Sequence, residues 1–138
     1  MLPRSNGIAA IANSDGHRCG WIEFLTRGPS AELFGQQLQP PAAVIVPTIV
    51  LYEVTRYARR VGGDAAADRI LAHMQQAQVA DFTASIAIEA ARVGLIERLA
   101  MADSIILATA RHHHATLWTQ DAHFEGLSGV HYIPTRTN

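Results

Sequence analysis

Pro40-Pro41-Ala42-Ala43-Val44-Ile45-Val46-Pro47-Thr48-Ile49-Val50-Leu51-Tyr52-Glu53-Val54 is the stretch whose reading decides the fold. The apolar run Ala42 to Val46, bracketed by prolines, reads as a short strand covered on both faces, because proline breaks a ladder's interior and an unalternated run suits a buried sheet. Thr48 is then expected to cap a helix to about Val61, closed by Gly62-Gly63. A strand feeding straight into a helix is the start of a βα unit, and the chain repeats the alternation. A second helix, about Asp64 to Gln76, places Ala67, Ile70, Leu71 and Met74 at spacings of three and four. Gln78 to Phe82 is a strand candidate, and a helix from Thr83 to about Leu99 carries Ile86, Ala90 and Val93 on one stripe. Another helix runs from about Ala102 to His113, followed by strands at Ala115 to Trp118 and Val130 to Ile133. Upstream, Trp21 to Leu25 and Ala31 to Leu38 read as short helices around Gly28-Pro29. This order predicts an α/β fold of three layers, a central parallel sheet of four or five strands flanked by helices.

The chain has 138 residues, 49% of them hydrophobic and 17% charged, which suits one domain (1–138) with a core. Eleven basic residues face 12 acidic ones, for a formal charge of −1, so no global field draws it to nucleic acid. RNA binding would need a local patch, and Arg56, Arg59 and Arg60 at one helix end supply a candidate, equally readable as a solvated face. All eleven basic residues are arginine. The absence of lysine excludes P-loop and Schiff-base chemistry. Cys19 is the only cysteine, so there is no intrachain disulfide and no cysteine zinc site. A lone cysteine and the lack of a membrane-length apolar run predict a cytoplasmic protein with no membrane attachment.

Three acids stand where apolar residues belong. Glu53 shares a helical side with Ile49 and Tyr57, and reads either as a helix glutamate paired with Arg56 or as a functional carboxylate. Asp103 opens a helix on the stripe of Ile106, Leu107 and Ala110, and reads as an N-cap or as a ligand. Asp121 follows the strand Ala115 to Trp118; a turn aspartate is the bland reading, but ligands gather beyond the carboxyl ends of parallel strands. Acids from three βα connections can converge there, and converged carboxylates need a hard cation such as Mg²⁺ or Mn²⁺. Metal-assisted attack of water on a phosphodiester is the chemistry this suggests. His112-His113-His114 reads as helix-end structure, since consecutive helix positions do not face one site.

The segments Ala43 to Val54, Ala102-Asp103-Ser104-Ile105-Ile106-Leu107-Ala108-Thr109-Ala110 and Thr119-Gln120-Asp121-Ala122-His123-Phe124, in that order, resemble the PIN domain, most closely the VapC ribonuclease toxins of bacterial toxin-antitoxin pairs. The resemblance spans roughly Cys19 to Pro134. It implies a Rossmann-like sheet, a Mg²⁺- or Mn²⁺-dependent endoribonuclease acting on RNA, a cognate VapB-like antitoxin that blocks the site, and a homodimer. Carried over residue by residue, Glu53, Asp103 and Asp121 match the family's metal-binding catalytic acids, with the hydroxyls of Thr119 and Ser104 in support.

The front of the chain departs from that pattern. The family's first acid stands four residues before the position of Trp21, and here that place holds His17, followed by Arg18 where a hydroxyl is usual. Asp15 fills the role only if the strand end carries two extra residues. Residues 1–17 are expected to lack the short apolar first strand, Ile8 to Ala12 fitting a strand or a helical turn and Asn13 to Gly16 a turn. The segment reads as a diverged or mis-framed start. A PIN-like module that binds antitoxin or RNA without efficient cleavage is therefore the competing expectation, and a small metal-dependent phosphatase a third.

Overall fold

A computed structural model describes residues 8–9 and 44–133. Its strands are β1 (Ile8–Ala9), β2 (Ile45–Pro47), β3 (Gln78–Ala80), β4 (Thr116–Thr119) and β5 (Val130–Tyr132). They form one five-stranded sheet in the order β3-β2-β1-β4-β5, with every pairing parallel. The helices are α1 (Thr48–Met74), α2 (Ala84–Glu97) and α3 (Met101–His112). Parallel strands need crossover connections: α1 links β2 to β3, α2 and α3 link β3 to β4, and a segment with the 3₁₀ turn Ala122–Phe124 links β4 to β5. The architecture is the α/β PIN-like one.

Two readings of the front half are corrected. The first strand is present: the backbone of Ile8–Ala9 pairs with β2 on one side and β4 on the other, which makes it the middle of the sheet. Two residues give too little periodicity to identify a strand. Thr48 does not cap α1, because β2 runs through Pro47, which is itself the N-cap, with φ −62° and ψ 144° and no side-chain cap. Proline without an N–H loses nothing at that junction. The break at Gly62-Gly63 is real: α1 is two helices abutting at Gly63, whose φ of 80° and ψ of −175° only glycine adopts cheaply. The short helices expected at Trp21–Leu25 and Ala31–Leu38 lie outside the described residues.

The core gathers Val44, Val46, Val50 and Val54 from β2 and α1, Ile106, Leu107 and Ala110 from α3, and Leu117 and Phe124 from the β4 side. Every residue from Asp103 to Ala110 is buried, so α3 is covered on all sides, by the sheet and by α2. Such a helix carries no polar face to solvent, and its one acid is inside. The approach of α2 to α3 depends on Gly94. A β-carbon there would overlap Ser104 Oγ and lie 3.1 Å from Ser104 Cβ, while Ser104 Oγ is held by donation to the Ala100 carbonyl at 2.8 Å.

Gly94→Ala is therefore expected to destabilise the fold by ~1–3 kcal/mol through overpacking, against its gain in helix propensity. Urea unfolding checks this, and Ser104→Ala in the same background should recover part of the loss.

Candidate metal centre

Asp121 ends β4 and is fixed by its neighbours before any ligand is considered. Thr119, fully buried, accepts a hydrogen bond from the Asp121 backbone N–H at 2.9 Å through Oγ1. Asp121 Oδ1 in turn accepts from the His123 backbone N–H at 2.9 Å, which starts the 3₁₀ turn Ala122–Phe124. Phe124 closes that turn and is buried in the core. The connection after β4 is thus anchored at both ends, and Asp121, 6% exposed, points from a rigid frame.

Asp103 sits in the first turn of α3 and is 3% exposed. It is not an N-cap: Ala100 holds that place, with no side-chain cap, and the capping reading falls. A negative charge in a helix's first turn is favoured by the exposed N–H groups, which offsets part of the cost of its burial. Glu53 projects from the second turn of α1. Its Oε1 is buried and has no hydrogen-bond partner among the described residues, so the expected pairing with Arg56 is not made.

Together these groups form a crowded anionic site at the carboxyl ends of the central strands, where β2 and β4 diverge from β1. Burial, and then the charge of Asp103, push the Glu53 carboxyl up to about 7. Burial, and then the charge of Asp121, push Asp103 up to about 6, against a smaller lowering by His123. Ligand atoms of Asp103, Asp121 and His123 lie within 4.8 Å of one another. Glu53 stands outside that set of atoms, although it feels Asp103. Asp121 Oδ2 is buried without a partner among the described residues. Carboxylate oxygens left bare in a low-dielectric pocket fit a hard divalent cation.

The other candidates fall in different places. Ser104 does not join the acids; its hydroxyl turns back to the carbonyls of Ala100 and, at 3.3 Å, Leu99, and serves the α2–α3 contact. Arg56, Arg59 and Arg60 line a groove of about 640 Å³ with Leu51, Tyr52 and Thr55, on the helix that carries Glu53. Arg59 pairs with Asp64, and Arg60 lies over the Tyr57 ring at 5.6 Å. His112 and His113 meet edge to face at the end of α3, apart from the metal-holding group found among the described residues. Asp15 and His17 lie outside the described residues. His123 is the residue that sequence reasoning passed over. Its signal was the Asp-Ala-His spacing, which a 3₁₀ turn folds back onto its own aspartate.

Residues 20–130 match the family model described as the PIN domain. Among solved structures the chain is similar to a toxin-antitoxin complex from Klebsiella pneumoniae, with a TM-score of 0.71 and 23% identity over 83% of this chain and 94% of that one. It is also similar to VapBC2 from Rickettsia felis bound to a DNA fragment from their promoter, with a TM-score of 0.63 and 15% identity over 83% of this chain and 92% of that one. No curated protein matches it.

The raised carboxyls set a stability profile for the metal-free chain. A folded-state pKa above the unfolded value means the native state binds the proton more tightly, so the contribution is full below about 4.5 for Glu53 and is lost as pH rises through about 7. For Asp103 the corresponding limits are 3.8 and about 6. In chelator, Glu53→Gln should therefore flatten the fall in melting temperature between pH 5 and pH 8 and melt above the parent at the upper end. Thermal scans across pH check this.

Proposed function

The chain belongs to the PIN domain family, and on that premise we propose that it is a metal-dependent endoribonuclease toxin that hydrolyses RNA phosphodiesters and is neutralised by a VapB-like antitoxin. The observation that carries the reading is the convergence of Asp103 and Asp121, both buried, with Glu53, itself raised by burial, close enough to feel the charge of Asp103. A pair of solved structures similar to this one in fold come from toxin-antitoxin complexes, which supports the partner. An acidic pocket of this kind suits an arginine or lysine from such a partner, since a cation of either kind relieves the same repulsion. A homodimer and a cytoplasmic location belong to the same proposal. Among the described residues no helix is long and apolar enough to cross a membrane.

Asp103 and Asp121 would hold Mg²⁺ or Mn²⁺. A bound divalent cation supplies a water of lowered pKa and neutralises charge building on the phosphate oxygens. Glu53, with a carboxyl near neutrality and an unpartnered Oε1, takes the proton of the attacking water as its oxygen bonds to phosphorus and the RNA oxygen leaves. Thr119 keeps Asp121 in place through its backbone N–H. Arg56 and Arg60, in the groove along α1, hold the phosphates flanking the scissile bond.

Asp103→Asn and Asp121→Asn should each lower metal-dependent RNA cleavage by ~100-fold or more while the fold persists, because the amide keeps shape and loses the charge that holds the cation. Single-turnover cleavage with Mg²⁺ or Mn²⁺ measures it. A parent chain that binds antitoxin and RNA yet cleaves no faster than Asp103→Asn would favour the non-cleaving module, consistent with His17 at the family's first acidic position.

A further inference from the structure

His123 is built into the centre by the same turn that places Asp121. The 3₁₀ turn is fixed at one end by the Asp121 Oδ1 contact and at the other by Phe124 in the core. That geometry returns the imidazole to the aspartate two residues earlier, with Nδ1 2.9 Å from Oδ1. The ring itself is 67% exposed, so core packing does not explain its position.

Its ligand atom, with one oxygen each from Asp103 and Asp121, falls in a set spanning at most 4.8 Å. Two ligands about 2.2 Å from one ion are at most ~4.4 Å apart, so a contraction of a few tenths of an ångström closes the set on a single cation. A second observation points the same way. Asp121 is more than nine-tenths buried, and its Oδ2 has no partner among the described residues. Both His123 contacts fall on Oδ1, which leaves Oδ2 open to a further positive group.

We propose that His123 is a metal ligand, giving the centre an imidazole nitrogen beside the Asp103 and Asp121 oxygens and a preference for a first-row transition ion such as Mn²⁺ over Mg²⁺. Imidazole nitrogen is a poor ligand for Mg²⁺, which favours oxygen and water, and a better one for the transition ions. The inference rests on the reading of Asp103 and Asp121 as the metal site and assigns that site's selectivity.

The test uses the full chain, stripped with chelator and loaded with Mn²⁺. Pulsed electron paramagnetic resonance detects a directly coordinated nitrogen, and labelling histidine with ¹⁵N assigns it. Affinities for Mn²⁺ and Mg²⁺ are measured on the parent, His123→Ala, His123→Gln and Asp121→Asn, with circular dichroism confirming each fold. The parent should show a histidine nitrogen on Mn²⁺ that both His123 variants lose. Their Mn²⁺ affinity should fall by at least ~10-fold, since even outer-shell partners of a metal ligand are worth that much, while Mg²⁺ affinity falls less. Mn²⁺ bound without a histidine nitrogen, or a nitrogen signal and metal ratio that survive in both His123 variants, would overturn the assignment and leave the two-aspartate site standing. Unchanged Mn²⁺ affinity in Asp121→Asn would overturn the metal site itself.

Discussion

Like charges confined in a protein interior repel strongly because little water is present to screen them, and the cost is met by proton uptake, by a cation or by local unfolding. Asp103 and Asp121 meet under those conditions, with Glu53 beside them. Without a metal the site responds by holding protons, which is what the raised carboxyls of Glu53 and Asp103 express. Burial first, and mutual repulsion second, makes charge costly at the carboxyl edge of the sheet, and the remainder of the fold holds the acids there.

Three features do the holding. The parallel sheet brings β2 and β4 to either side of β1, so the connections that follow them open over a common crevice. The burial of α3 from Asp103 to Ala110 holds Asp103 within the core beside that crevice. That burial in turn requires α2 to approach closely, which the missing side chain of Gly94 and the inward-turned hydroxyl of Ser104 permit. Asp121 is restrained differently, by Thr119 below it and by a turn pinned through Phe124. Asp103 and Asp121 thus rest on separate parts of the core.

Much of this was legible in the chain. Prolines on both sides of Ala42 to Val46 mark the strand, and Gly62-Gly63 marks the break in α1 because a backbone at φ 80° needs glycine. Asp103 stood out as an acid on an apolar stripe, and the structure places it where that stripe is buried. Other features depend on tertiary contacts that no local pattern encodes. Ser104 beside Asp103 invites a functional reading, yet its hydroxyl is spent on the preceding turn and on helix packing. The Pro47 cap escaped notice because the strand and helix share the junction without a loop. β1 contributes two residues to the sheet, too few to carry a period, and owes its place to ladders on both sides. His123 gained its position from a turn initiated by its neighbour's side chain, a contact invisible at the level of residue type.

The buried carboxylates are a destabilising feature that a cation relieves, and ligand-linked stability tests this most directly, since anything that binds the native state alone raises its melting temperature. The measurement is thermal unfolding of the parent and Asp103→Asn at pH 8, each in chelator and in saturating Mn²⁺. The parent should melt higher with Mn²⁺, and Asp103→Asn should melt above the parent in chelator while responding little to the metal. A parent indifferent to Mn²⁺, together with an Asp103→Asn chain that melts lower in chelator, would contradict it and make Asp103 a structural residue.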